Sequence, residues 1–307
     1  MKKYFIAAVA FVLFSTAHAT TTVDSSVKDS NVHEETYTTK DGAETYTTTI
    51  YRSTDKANEV QSSGGTYHEA NSGDAYYKEV VTGTDGYHSS FEEKYTNASD
   101  VKNGANMYVS HNENSYMRDE SEHNPETMRD TAQFVGSHYK EDVSDINGTY
   151  KENIYGDSTW KSSFSEPGYS ESIKGQSVWD SDVTIAKDYY ESNLSKSDMY
   201  EESVTEGAYH SDYFESSHYK EHVADSSKSY DEDIYGESIV KTYETDGKTT
   251  TSIYGESVWD SDVHKDMTTW ISNLHKSDTY KESVTAEDYE SSFSNTDVHD
   301  EHLAQNL

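Results

Sequence analysis

One short phrase recurs through residues 137 to 293 and constrains the fold more than any other feature of the chain. It reads aromatic, polar, Glu or Ser, polar, then Val, Ile, Leu or Phe. Copies begin at Tyr139, Tyr150, Trp160, Tyr169, Trp179, Tyr190, Tyr200, Tyr209, Tyr219, Tyr230, Val240, Thr249, Trp259, Trp270, Tyr280 and Tyr289. The steps between copies run 11, 10, 9 and 10 residues, so a period of about ten is nested in one of 40. The closest copies lie 80 residues apart: Gly175 to Val183 returns almost unchanged as Gly255 to Val263. A repeat at this spacing fixes the build of a chain before it says anything of its chemistry.

Three properties of the phrase favour strand over helix. Its middle position shares a face with its two ends only at a period of two. Its residues are Tyr, Trp, Thr, Val and Ser, which favour strands. Turn residues recur between phrases: Asn147-Gly148, Tyr155-Gly156-Asp157, Glu166-Pro167-Gly168, Lys174-Gly175, Glu206-Gly207 and Asp246-Gly247. The expected unit is therefore a strand of about five or six residues and a turn of about four or five. One face would carry the aromatic, small or acidic, and aliphatic side chains. The other would carry Lys, Asp, Glu, Ser and Asn.

The expected fold class is all-β, a strand–turn array of ten-residue units in 40-residue sets. A β-solenoid or a meander stacked in two layers would cover the apolar face. A propeller with four units per blade is the alternative. A largely disordered chain is the other, because Leu, Ile, Val and Phe total only 44 of 307 residues and the formal charge is −34. Against disorder stand 27 tyrosines held in register and only two prolines.

Four segments are expected. Residues 1–19 read as a secretory signal peptide: Lys2-Lys3, a ten-residue apolar run from Phe5 to Phe14, then Ala17-His18-Ala19. Residues 20–36 read as a flexible lead. Residues 37–135 carry a looser repeat, with a break over 117–133, and residues 136–307 carry the regular array. The address implies a secreted, periplasmic or cell-surface protein. The chain has no cysteine, which excludes disulfides and thiolate metal sites. Its acidity argues against nucleic acid and anionic membrane surfaces as partners. Strands of a ten-residue unit that includes its turn would also be too short for a membrane barrel, which needs about 9–11 residues per strand.

Candidate sites are few. Gly156-Asp157-Ser158 looks like a nucleophile block, but the slot returns as Gly236-Glu237-Ser238, and a nucleophile is a unique residue beside a base. His218 and His222, and His299 and His302, are histidine pairs without a metal-binding motif around them. Asp180, Asp182, Asp260 and Asp262 recur at fixed offsets. Stacked on adjacent strands they would lie about 4.8 Å apart, where a hard cation such as Ca²⁺ could bridge them. The repeat aromatics Tyr139, Tyr150, Trp160, Tyr169, Trp179, Tyr190, Tyr200, Tyr209, Tyr219, Tyr230, Trp259, Trp270, Tyr280 and Tyr289 are expected to carry the packing.

No enzymatic chemistry is indicated. The expectation is a secreted acidic repeat protein with a structural or adhesive role in a bacterial envelope or extracellular matrix, self-associating and with fibre formation as one outcome. The plan of short strand–turn repeats is similar to that of curli-type fibre proteins, though the Gln and Asn ladders of those proteins are missing. The alternatives are a calcium-binding acidic surface module and a carbohydrate-binding or enzymatic propeller. Crowded carboxylates on such an array would gain stability as protons bind.

Overall fold

A computed structural model describes residues 23–306 except 42–43, 64–65, 105–106, 188, 227–228 and 267. The signal segment 1–19 and its cleavage point lie outside the described residues. The described chain is all β, with no helix: 14 antiparallel strands forming one open meander sheet, each strand bonded to its neighbours in sequence. The strands are β1 (Val23–Asp41), β2 (Glu44–Ser63), β3 (Thr66–Gly83), β4 (His88–Gly104), β5 (Met107–Asn124), β6 (Arg129–Ile146) and β7 (Thr149–Glu166). They continue as β8 (Tyr169–Ala186), β9 (Tyr189–Glu206), β10 (Tyr209–Ser226), β11 (Ser229–Thr245), β12 (Thr250–Lys265), β13 (Thr269–Ala286) and β14 (Tyr289–Asn306).

Strand length departs most from the sequence-based expectation. The strands run 16 to 20 residues, not five or six. Each strand of the regular array holds two phrases, and the 40-residue set is one long hairpin. Four of the six expected turns are real. Asn147 and Gly148 both have positive φ, 54° and 79°, as a two-residue turn between twisted strands requires. Pro167 followed by Gly168 at φ 85° gives the Pro-Gly pattern of a type II turn. Gly207 and Gly247 also sit in turns with positive φ. Gly156 and Gly175 do not turn. Both lie in mid-strand, and so do their 80-residue counterparts Gly236 and Gly255.

Those mid-strand glycines make room for tryptophan. Gly156 pairs with Trp179, Gly175 with Trp160 and Gly236 with Trp259. In each case the indole ring occupies the space that a Cβ on the glycine would take. The aromatic ring covers backbone that a glycine would otherwise leave bare, as in the aromatic rescue of strand glycines.

Consecutive antiparallel pairing excludes both the solenoid, whose coils stack in parallel, and the propeller, whose blades are separate sheets. The second layer of a stacked meander is also missing, because all 14 strands share one sheet. Ile50 and Val143 are the only buried apolar side chains among the described residues. Strands of this length span about 60 Å, and 14 of them side by side about 60 Å more. The expected lead, residues 20–36, includes most of β1. Residues 117–133 are the end of β5, a four-residue turn and the start of β6, so the ladder runs through 136 unbroken. The length argument against a membrane barrel fails with strands this long. No helix among the described residues is long and apolar enough to cross a membrane.

Candidate functional surfaces

Antiparallel register places directly paired residues on the same face, so the side chains can be followed in rows across the strands. The described repeat aromatics fall on one face, called here the tyrosine face. Its central row reads Tyr139, Gly156, Trp179, Lys196, Tyr219, Gly236, Trp259 and Lys276, two turns of a four-strand pattern. The next row reads Glu141, Ile154, Ser181, Leu194, Glu221, Ile234, Ser261 and Leu274. Tyr230 lies in β11 opposite Lys265, and its side chain is outside the described set.

Rings on this face are half-covered, not buried; Trp160 and Tyr280 keep 37% and 39% of their surface exposed. Their hydroxyls are tied down along the strand. Tyr139 donates to Glu141 at 2.8 Å, Tyr169 to Glu171 at 3.0 Å, Tyr200 to Glu202 at 2.8 Å and Tyr219 to Glu221 at 2.7 Å. Tyr280 does the same to Glu282 at 3.1 Å. A strand brings residues i and i+2 to one face, and the tyrosine reaches its glutamate there. This is the physical content of the first and third positions of the phrase. The bond and the neighbouring carboxylate both favour the neutral phenol. Burial first and then Glu141 push Tyr139 up to about 12, and the Glu221 bond first and then burial push Tyr219 up to about 12. Serine and lysine hold other carboxylates: Ser177 donates to Asp198 and Ser257 to Asp278, each at 2.6 Å, with Lys196 and Lys276 each 2.9 Å from the same aspartates.

The opposite face carries the four aspartates singled out as metal ligands. Asp180 and Asp182 sit on β8, and Asp260 and Asp262 on β12. The two pairs are four strands apart, about 19 Å at the usual strand spacing. They do not stack on one another. Asp180 pairs with Tyr155 and Ser195, Asp182 with Asn153 and Asn193, and Asp260 with Tyr235 and His275. Asp262 lies opposite Asp233 and Asn273, and the Asn273 amide donates to it at 3.5 Å. Burial, then Asp180 and Glu191, raise the Asp182 pKa. Among the described residues no group of three or more His, Asp or Glu side chains is placed to hold a metal ion.

The other candidates separate in the same way. Ser158 is on the tyrosine face, while the His138–Asp157 pair, 3.5 Å apart, is on the opposite face. No base reaches the serine through the sheet. His218 packs against the Tyr235 ring, while His222 meets Asp233 at 3.5 Å. His299 and His302 point to opposite faces, His299 toward Glu301 and His302 toward Asn273.

Comparison with family models, with curated proteins and with solved structures finds no match. The surfaces must therefore be read from their own chemistry. One feature of them lay outside the sequence reading. A row of Phe134, Lys161, Lys174, Glu201, Phe214, Lys241, Tyr254 and Lys281 crosses the face opposite the tyrosines. Lys241 sits 5.3 Å from the Phe214 ring centre and 5.8 Å from that of Tyr254, which Lys281 also approaches at 5.4 Å. The row lines much of a shallow trough of about 710 Å³. Cations over ring faces keep both side chains flat on a sheet with no second layer.

Proposed function

We propose that the chain is a secreted structural protein of the envelope or extracellular matrix, whose sheet presents two broad faces for contact and adhesion. One observation carries this reading: a single layer in which only Ile50 and Val143 are buried apolar side chains among the described residues. Such a build puts nearly every side chain at the surface. An enzyme of this length would instead spend most of its chain enclosing a site. The absence of cysteine and the formal charge of −34 suit a soluble, exported repeat. Both faces carry Asp, Glu and Lys at many levels, whereas a membrane barrel presents a continuous apolar band to lipid. This supports a place beside the membrane and not in it.

The test is location joined to retention. Antibody labelling of intact cells and of their extracellular material should find the protein outside the cytoplasm. Deleting the gene should weaken cohesion or attachment, and the full-length gene should restore it. A cytoplasmic protein, or a deletion without effect on cohesion or attachment, overturns the proposal.

A further inference from the structure

The two ends of the sheet fit one another. β1 and β14 are the outermost strands, 19 and 18 residues long, and among the described residues neither outer edge has a partner strand. A row of unpaired N–H and C=O groups is a template for another strand, and folded proteins usually blunt such edges with bulges, prolines or very short strands. Neither strand contains proline, and each pairs with its inner neighbour without a bulge. The strand count matters too. With 14 antiparallel strands, β1 and β14 run in opposite directions. A second copy displaced sideways by simple translation brings its β1 antiparallel to β14, so the meander continues.

Two conditions limit the register of that junction. The tyrosine face must remain one face, which allows only even offsets, because a one-residue slip turns every side chain over. The strand ends should also be flush. Setting Asp41 opposite Tyr289 and Asp24 opposite Asn306 meets both conditions. The side chains of residues 30–41 can then be read against β14. Val32 meets Val298, Tyr37 meets Phe293, His33 meets Asp297 and Lys40 meets Glu290. No like charges fall opposite one another over these 12 positions.

The four apolar residues are among the most exposed large hydrophobics of the protein: Val32 63%, Tyr37 43%, Phe293 58% and Val298 59%. Sliding the junction by two residues one way sets Glu35 against Asp297 and Val32 against Asp300. Sliding it the other way sets Val32 against Thr296 and Tyr37 against Ser291. Both slips lose the apolar pairs, and opposed side-chain pairs are what stabilise a sheet.

We propose that a second copy of this chain is the partner of each edge: β14 of one copy pairs with β1 of the next in this register, head to tail. The contact joins different surfaces and relates successive copies by translation, so it builds an open-ended ribbon. The proposal rests on the structural role above and gives it a mechanism.

The chain's lack of cysteine makes the test clean. In the head-to-tail register position 32 faces position 298, and opposed residues lie within the Cα separation that a disulfide spans. In a self-paired β1 edge with flush ends position 32 would face 32, and in a self-paired β14 edge that keeps its faces position 298 would face 298 or lie two residues from it. Full-length Val32→Cys and Val298→Cys proteins, each checked for native sheet content by circular dichroism, are mixed and mildly oxidised. The expected result is a cross-linked heterodimer in the mixture, little dimer in either alone, and a ladder of multimers from the doubly substituted chain. Dimers of Val298→Cys alone or Val32→Cys alone, or no cross-link in the mixture, overturn the proposal.

A second readout uses charge. Lys40→Glu and Glu290→Lys should each shorten the assemblies seen by sedimentation, and the two together in one chain should restore them. Failure of that rescue also overturns the register. Chains that stay monomeric but remain in the extracellular material would refute edge joining and leave the structural role standing.

Discussion

Gly175 and Gly255 occupy the same slot of the repeat, yet alanine should act on them in opposite directions. Both glycines are in extended strands, neither has positive φ, and both pair with a tyrosine on one side, Tyr200 or Tyr280. On the other side Gly175 pairs with Trp160, while Gly255 pairs with Val240. A Cβ on Gly175 would fall within the Trp160 ring, whereas a Cβ on Gly255 meets nothing within 4 Å. Alanine at Gly255 should therefore stabilise by about 0.4–1 kcal/mol, because it restricts the unfolded chain at no cost to the folded one. Alanine at Gly175 gains the same entropy but must push the indole off the strand, and overpacking of this kind costs about 1–3 kcal/mol.

The expected net effect at Gly175 is a loss of roughly 0.5–2 kcal/mol, set by the larger of the two opposing effects. Urea unfolding followed by circular dichroism gives the two midpoints. Tryptophan emission gives an independent sign, since Trp160 should move to longer wavelength when its ring is lifted into water. Equal shifts of the two midpoints in one direction, with emission unchanged, would refute the view that the indoles cover these glycines.

Two predictions concern pH. Tyr77, Tyr139 and Tyr219 are each held up to about 12, above the unfolded value of 10.0, so their contribution is complete below pH 10 and is lost as pH rises toward 12. The sheet signal should fall in that window together with tyrosinate absorbance, and tyrosinate formed in full near pH 10 with the sheet intact would contradict it. In acid the structure reverses the expectation from charge crowding. Among the described residues only Asp182 shows a raised carboxyl, while Asp85, Glu191, Asp198, Asp246, Asp266 and Asp278 are lowered. A lowered carboxyl stabilises above its unfolded pKa and loses that effect as pH falls below about 4, so acid should weaken the sheet. Asp266→Ala should blunt this loss, because the Asp266 carboxylate accepts the Thr268 and Thr269 N–H groups of its turn at 2.7 Å; an unchanged acid limb would count against that origin.

Much of the architecture was legible in the phrase itself. The β class, the sidedness of the aromatics and four of the turns follow from residue type and from a period of two. The strand length did not follow, because Tyr155-Gly156-Asp157 and Lys174-Gly175 have the composition of turns. What overrides composition is a residue on the neighbouring strand: Trp179 over Gly156 and Trp160 over Gly175. The signal that could have shown this lies in the step lengths. A step of ten is even, so it keeps a side chain on its face within one strand. Across a two-residue hairpin only an odd step does so. The steps of 11 from Tyr139 to Tyr150 and of 9 from Trp160 to Tyr169 cross the turns at 147–148 and 167–168. The steps of ten, from Tyr150 to Trp160 and from Tyr169 to Trp179, stay inside β7 and β8. Counted this way the register of the sheet follows, and with it the separation of Asp180 from Asp260 and the lysine–aromatic row.

A sheet without a core must find its stability in neighbouring strands, and this sets the size of its repeating unit. The chain adds one strand about every 20 residues, and among the described residues each strand touches only its neighbours in sequence, as in other repeat architectures. Sequence similarity is strongest at 80. The rows explain the difference. Tyr139, Gly156, Trp179 and Lys196 form one complete set: a tied-down tyrosine, a glycine, the indole that covers it, and a lysine beside the indole. Removing or adding one strand or three would reverse the chain direction and set strands of like direction side by side. Two strands would restore direction but put a tyrosine row against the wrong neighbour and part tryptophan from glycine. Only four strands, 80 residues, preserve direction, face and the partners of this central row, which returns as Tyr219, Gly236, Trp259 and Lys276. The length at which this chain repeats is therefore set by cross-strand pairing and not by the strand itself.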